Sequence, residues 1–415
     1  MSQVSHRPQK TAISIVGAFD RHNYGDLLFP LIVEWAIKDL GLDADLDYYA
    51  TSVSTMSVYG GKDTKSIRQL FSRAPSTNEK VVIAGGEVLP ATWPLIFSYL
   101  TSPLAAKVIN RLSDLVGDRF ASLFISKCLG SRSVLPFVYA PSDFERKVTV
   151  LYNAVGGSHI KDQSPYIRAN LLAKLRNAGH VSVRDLETFD FLKSHGIDGV
   201  QLSPDCAILL SQLYPVDQLK SLVTPPASAL QAQMPEGYIC VQSAAAYTIG
   251  NELKFRRSID NIMRRTGLGV VVFAIGRATG HSDQQTFDIF RTGASTDALP
   301  PTVISECESI HDIMWVIANS KAYIGTSLHG AITSASYGVP VLGLCPSRVN
   351  KLPAFLRTWV DPKDFQLAEF DEMEAAFDRL WESRSSGLSA KVADAQNIAR
   401  ENFRTMFAPR SADLQ

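Results

Sequence analysis

The chain has 415 residues, with 41 basic and 41 acidic side chains and so no formal net charge; 46% of its residues are hydrophobic and 20% charged. That balance excludes a general electrostatic pull toward nucleic acid or an anionic membrane, leaving room only for a local basic cleft, and is ordinary for a soluble globular protein. The length suits two α/β domains of roughly 200 residues each better than one core.

Five cysteines, Cys128, Cys206, Cys240, Cys307 and Cys345, are scattered and form no Cys-x-x-Cys pair. They read as reduced, mostly buried thiols of a cytosolic protein rather than a disulfide or zinc framework, and no metal site is expected. Thr11 to Phe19 makes a first strand more readily than a signal peptide, and no run approaches the roughly 18 apolar residues of a membrane helix.

The chain opens as strand, glycine-containing loop and helix. Ile13 to Gly17 is β-like, Ala18 to Asp26 a polar turn, and Leu27 to Leu40 carries apolar residues at helical spacing, with Asp26 as N-cap and Gly41 as stop. Residues 51–80 are rich in Ser, Thr and Lys and read as exposed loop with a short helix at Ile67 to Phe71. Val81 to Ala84 is a buried strand ending in Gly85-Gly86-Glu87, where two glycines allow close backbone approach and the carboxylate is placed for a hydroxyl or a cation. The span 90–145 is aromatic and helical in tendency, suggesting a lid or an acceptor-binding insertion.

Strands then alternate with helices: Val148 to Ala154, Gly156-Gly157-Ser158-His159, a helix from Pro165 to Asn177, Val181 to Val183, Arg184-Asp185, a helix to His195, and Val200 to Leu202. This rhythm predicts a doubly wound parallel sheet. The proline-bearing stretch 216–235 serves as linker between an N-terminal Rossmann-like domain (1–215) and a C-terminal one (236–388), where the alternation restarts at Tyr238. Residues 389–415 form an amphipathic helix expected to pack back on the first domain.

The second domain contains Ala322 to Ile324, the turn Gly325-Thr326-Ser327-Leu328-His329-Gly330, a small-residue helix stopping at Gly338, and the strand Val339 to Leu344. A histidine opening a helix at the carboxyl end of a strand sits where open α/β sheets bind ligands. His329, beside Ser and Gly, is read as a group for hydrogen bonding or proton transfer. The loop Asn23-Tyr24-Gly25-Asp26 is either a plain cap or a site for an anionic or hydroxylated ligand. Arg184-Asp185 is either a structural ion pair or a clamp for carboxylate or phosphate. Asp205 reads as a turn residue or cap, and His281 and Asp283 as either cleft-facing groups or a solvated histidine and a helix cap. No Walker loop, Gly-x-Gly-x-x-Gly after the first strand, His-Glu-x-x-His or Gly-x-Ser-x-Gly elbow is present.

Taken in order, Gly17, Asn23-x-Gly25-Asp26, Gly85-Gly86-Glu87, Val183-Arg184-Asp185, His195-Gly196-Ile197, Pro204-Asp205, Ser327-x-His329-x3-Thr333 and Gly338-Val339-Pro340 resemble the polysaccharide pyruvyl transferases. The resemblance spans roughly residues 13 to 345. It implies a fold similar to glycosyltransferase type B, phosphoenolpyruvate as donor substrate with no cofactor, and a glycan or lipid-linked saccharide as acceptor at the inner face of the cytoplasmic membrane. Many members carry Arg where Ser327 stands. Donor binding then falls to Ser327, Gly330 and a cation among Arg184, Arg277, Arg348 and Lys351. Catalysis falls to His329 with Asp26 or Glu87, and the acceptor to Asn23, Gly25, Gly86, His281 and Asp283.

Ketal formation from an enol phosphate needs a proton for the vinyl carbon, a base for the attacking hydroxyl, and cations or helix amino termini for carboxylate and phosphate. Two alternatives remain open. One is a nucleotide-sugar glycosyltransferase, disfavoured because Thr333 stands where those enzymes carry a ribose-binding Glu. The other is a non-catalytic sugar- or anion-binding protein on the same scaffold.

Overall fold

The computed structural model describes residues 10–74, 79–99, 107, 111, 117–276, 283, 285–291, 299–345 and 351–409. Two parallel sheets carry the chain. The first contains β1 (Thr11–Val16), β2 (Ala44–Ala50), β3 (Lys65–Ser66), β4 (Glu79–Ile83), β5 (Val148–Val155), β6 (His180–Val183) and β7 (Gln201–Leu202), in spatial order 3-2-1-4-5-6-7. The second contains β8 (Tyr238–Gln242), β9 (Gly269–Phe273), β10 (Thr302–Ser305), β11 (Ala322–Gly325), β12 (Val341–Leu344) and β13 (Phe365–Ala368), in order 10-9-8-11-12-13. Both orders reverse once, between β1 and β4 and between β8 and β11, which are the switch points where doubly wound sheets leave a crevice for ligands. The fold class is therefore α/β with two Rossmann-like domains.

Several local expectations are corrected by packing. The first helix runs from Tyr24 to Asp39, so Asn23 rather than Asp26 holds the N-cap position, and Asp26 lies in the first turn, where its charge favours the helix dipole. β2 falls in a stretch without a continuous apolar run: Asp45 and Asp47 alternate with Leu46 and Tyr48, which pack on one core, while the aspartate face is buried at Tyr49. The stretch 216–235 connects the two sheets. It folds as three single-turn helices, Val216–Leu219, Pro225–Ser228 and Leu230–Gln233, and buries Leu219, Ala227, Leu230 and Met234. Beyond Leu344 the second sheet gains β13 and the helices Lys351–Trp359 and Met373–Ser383.

One apolar cluster runs continuously from the first sheet into the second, through Tyr24, Leu27 and Leu28 on one side and Ile332, Ala335 and Trp359 on the other. Separate clusters fill the opposite faces of each sheet. The helix Ala390–Phe407 lies against the first domain. Its Gln396 donates to the Ile208 carbonyl at 3.0 Å, and its Asn402 donates to Asn153 at 2.8 Å and meets His180 at 2.9 Å. Among the described residues, no helix is long and apolar enough to cross a membrane.

Candidate functional site

The site lies where the two switch points face each other. From the first domain come the loop after β1, the end of β4 and the ends of β5 to β7; from the second come the loop after β11 and the helix Lys351–Trp359. The domains are pinned at this seam by backbone. Asn23 forms an antiparallel bridge with Gly276, and the Tyr24 amide donates to the Ile275 carbonyl at 3.3 Å.

His329 is the second residue of the helix Leu328–Ser336. Ser327 caps that helix, its hydroxyl accepting from the Gly330 amide at 3.2 Å, while its own amide donates to Gln242 Oε1 at 3.0 Å. The imidazole is largely buried, stands edge-on to the Phe29 ring with 5.6 Å between centroids, and lies over Gly25, where any Cβ would overlap it. Glycine at position 25 is thus the condition for the imidazole to reach the first domain. Its Nε2 is buried with no hydrogen-bond partner and points toward Asp205 Oδ2 at 3.7 Å.

Asp205 is the link to the cations. Its Oδ1 caps the turn Cys206–Leu209 by accepting from the Ala207 amide at 3.0 Å, and its Oδ2 accepts from Arg184 Nη1 at 2.7 Å. Arg184 in turn donates from Nη2 to Glu87 Oε2 at 2.9 Å. Glu87 also accepts from the Ser158 amide at 2.7 Å and pairs with Lys351 across the domain gap at 3.3 Å. Gly156 makes this cluster possible, because a Cβ there would sit 2.6 Å from Glu87 Oε2 and 2.8 Å from Arg184 Nε. Just before it, β5 slips register against β6, and Ala154 takes a left-handed φ of 45°, the type of strained bulge that re-aims a strand end.

The electrostatics are those of a compact alternating lattice. Burial on its own would raise the carboxyl of Asp205, but His329 and Arg184 outweigh it and hold Asp205 down to about 2. Glu87 is likewise lowered, burial being overcome by Arg184 and Lys351. Burial would lower the Arg184 guanidinium, but Asp205 and Glu87 raise it, so it stays charged. A depressed carboxylate tied by two cations and an amide is a poor proton acceptor, which argues against Glu87 as a general base.

Beside this lattice opens a cleft of about 230 Å³, lined by Ser158, Arg184, Asp205, Leu328, Lys351 and Arg357. In the loop after β1 and the first turn of the helix that follows it, Asn23 Nδ2 donates to Asp26 Oδ2 at 3.0 Å. Asp26 Oδ1 lies 3.4 Å from where a Gly86 Cβ would be.

Other expected residues serve the scaffold. Gly330 is buried against the Tyr323 hydroxyl. Asp283 is 5% exposed, its Oδ2 accepting from Gln242 Nε2 and from the Ile275 and Gly276 amides at 2.9 to 3.1 Å; it shapes the end of β9 and does not open to the cleft. Burial raises its carboxyl. Thr333 is also buried, donating to the His329 carbonyl at 2.8 Å and meeting the Tyr24 hydroxyl at 2.9 Å, so it takes no ligand-facing role. Asp185 does not pair with Arg184 but caps the helix Leu186–Ser194, accepting from the Thr188 amide at 2.8 Å. Arg277, His281 and Arg348 lie outside the described residues. Among the described residues, no three His, Cys, Asp or Glu side chains converge as a metal site.

Sequence reasoning missed Asp205 as a site member because its capping role is local and its second oxygen's partners are 21 and 124 residues away. The Pro204-Asp205 pair among the ordered motifs was the available signal. Arg357, which lines the cleft, was missed because the helix Lys351–Trp359 carries no motif among those read in the sequence.

Two Rossmann-type domains meeting across a cleft, with a histidine and an arginine at the strand ends, define a protein of the glycosyltransferase type B architecture. The UDP-GlcNAc 2-epimerase of Methanocaldococcus jannaschii shares this fold at a TM-score of 0.55 and 11% identity, covering 95% of this chain and 99% of that one. The putative UDP-N-acetylglucosamine 2-epimerase of Listeria monocytogenes does so at 0.54 and 9%, covering 96% and 94%. Likeness at such identity concerns the fold alone. The chain itself belongs to the polysaccharide pyruvyl transferase family, whose model matches residues 23–345, most of its length, and it is accordingly a transferase. No curated protein sequence matches it significantly.

Proposed function

We propose that the protein transfers the pyruvyl unit of phosphoenolpyruvate to two hydroxyls of a sugar, as a ketal, with release of phosphate. The observation that carries this reading is His329 Nε2, buried without a hydrogen-bond partner beside a cleft lined by Arg184, Lys351 and Arg357. Such a group can deliver a proton that a solvated imidazole would lose to water, and the cations suit a donor bearing a carboxylate and a phosphate.

In this reading Lys351 and Arg357 hold the donor anions, Arg184 supplies fixed positive charge, and the amino end of the helix Leu328–Ser336 adds to it. His329 protonates the vinyl carbon. The neighbouring carbon forms two bonds to sugar oxygens and loses its bond to the phosphate oxygen. Of the two hydroxyl protons released, one balances the proton given by His329 and the other leaves with phosphate. Asp26, braced by Asn23 beside Gly25 and Gly86, takes the first hydroxyl proton on the acceptor side. The donor enters as substrate and no cofactor is invoked.

The acceptor is a glycan or lipid-linked saccharide met at the inner face of the cytoplasmic membrane, with no nucleic-acid partner. Phe120 and Phe124, one helical turn apart on Asp118–Cys128 and 65% and 70% exposed beside Arg119 and Lys127, support contact with an anionic lipid surface. Loss of co-sedimentation with anionic vesicles in Phe120→Ser/Phe124→Ser would agree; unchanged sedimentation would remove the membrane from the proposal.

The deciding test is phosphate release from phosphoenolpyruvate with a panel of saccharide acceptors, in the wild type and His329→Ala. Acceptor-dependent release that disappears in the variant at unchanged thermal stability is expected. Release at the wild-type rate would remove His329 from catalysis, and sugar binding without release by the wild type would favour a non-catalytic binding protein.

A further inference from the structure

We propose that Asp205 is the positioning residue of this site: through its single Oδ2 it draws Arg184 and His329, one from each domain, onto one carboxylate, and so sets both the orientation and the charge of the imidazole. Only the kinetic consequence rests on the transferase reading.

Geometry carries the inference. Asp205 is 1% exposed and cannot swing into solvent, because its Oδ1 is committed to the Ala207 amide at 3.0 Å. Its Oδ2 therefore has a fixed place, 2.7 Å from Arg184 Nη1 and 3.7 Å from His329 Nε2. A neutral imidazole gains little at that separation. A protonated one becomes the second cation of an Arg–Asp–His triad, and a shift of a few tenths of an ångström closes a charge-assisted hydrogen bond.

Positive and dipolar groups also stand around His329. It sits in the first turn of the helix Leu328–Ser336, whose amino end repels a cation. Phe29 and the Gly25 backbone enclose the ring, and Arg184, a like charge, stands just behind Asp205. Asp26 stands in the same first-helix turn as Gly25, bridged to Asn23, and Lys351 is engaged with Glu87. Asp205 is thus a carboxylate within 4 Å of Nε2 that opposes the helix end and Arg184. Arg184 plays two parts, competing with His329 for Oδ2 and repelling its proton.

The experiment follows the His329 ring signal by NMR titration, assigned by its loss in His329→Ala, in the wild type, Asp205→Asn and Arg184→Gln. Asparagine preserves the shape and the Oδ1 acceptor for Ala207 but not the charge. Its midpoint is expected to fall by about one pH unit or more, a tenfold change in proton affinity. Removing Arg184 is expected to move the midpoint upward, so Arg184→Gln tests the idea even where Asp205→Asn does not fold. In the folded variants, the high-pH limb of the phosphate-release rate should follow the same displacements. Midpoints that stay put, or move the same way in both variants, overturn the proposal whether or not turnover exists. Matched NMR shifts with no turnover in any protein leave the positioning role standing and count against the transfer reading alone.

Discussion

Lys351 Nζ, at the start of the helix Lys351–Trp359, stands 3.3 Å from Glu87 Oε2 at the end of β4, and so joins the two domains across the mouth of the cleft. Because Lys351 is 35% exposed, the pair is worth little as a structural tie, and its charge is available to an incoming anion. Lys351→Met is therefore expected to raise the KM for phosphoenolpyruvate about 10- to 100-fold, the worth of a charged hydrogen bond, with a small change in Tm. Steady-state kinetics beside a thermal melt check this; an unchanged KM would place the donor elsewhere.

Gly25→Ala tests the seat of His329. Alanine favours a helix over glycine by about 1 kcal/mol, so local propensity alone would improve stability. The new Cβ would overlap the imidazole and force it to shift. A fall in kcat of about 100-fold, with the fold retained by circular dichroism, is expected. Near wild-type turnover would show that the position of the ring over Gly25 does not matter.

Acid stability should report the carboxylates. The folded-state pKa of Asp205, about 2, lies below its unfolded value of about 3.9, so its contribution is present above the unfolded value and is lost as pH falls from about 4 toward 2. Glu87 is lowered too and acts in the same direction. Urea unfolding at pH 7, 5 and 3 should show a decline concentrated below pH 5. In Asp205→Asn that decline should be smaller by about 1 kcal/mol at pH 3, where roughly half of the Asp205 contribution has been lost. Equal acid slopes in both proteins would contradict the lowered carboxyl.

Tyr24 and Thr333 make a buried interdomain hydrogen bond of 2.9 Å. The Thr333 hydroxyl already gives its one proton to the His329 carbonyl, so Tyr24, whose phenol burial pushes well above its ordinary value, is the donor. Tyr24→Phe should cost about 1 kcal/mol, whereas Thr333→Val, which strands the buried phenol, should cost about 1–3 kcal/mol. Urea midpoints giving the reverse order would overturn the assigned donor.

Much of the architecture is legible along the chain, because buried parallel strands are short apolar runs and glycine or a capping residue punctuates the helices between them. β5, β8, β9 and β11 could be located that way. β2 could not, since its aspartates break the run, and neither could the short helices within 216–235, because prolines that open one-turn helices look the same as prolines in a linker. The place of His329 was legible because Ala322 to Ile324 is a short apolar run closed by a polar turn and a helix of small residues.

By itself, then, the sequence determined the two-domain α/β alternation, the strand ends that carry Glu87, Arg184 and His329, and the ordered motifs of the family, all of them short-range patterns set by periodicity and turn chemistry. Tertiary structure decided which of these groups meet. It took Asp205, locally only a cap, and gave its second oxygen to Arg184 and His329. It turned Asp283, Gly330 and Thr333 into scaffold and brought Lys351 across the cleft to Glu87. The physical reason is that a carboxylate's partners are chosen by distance in three dimensions and by the dielectric of burial, neither of which is written in the spacing of residues along the chain.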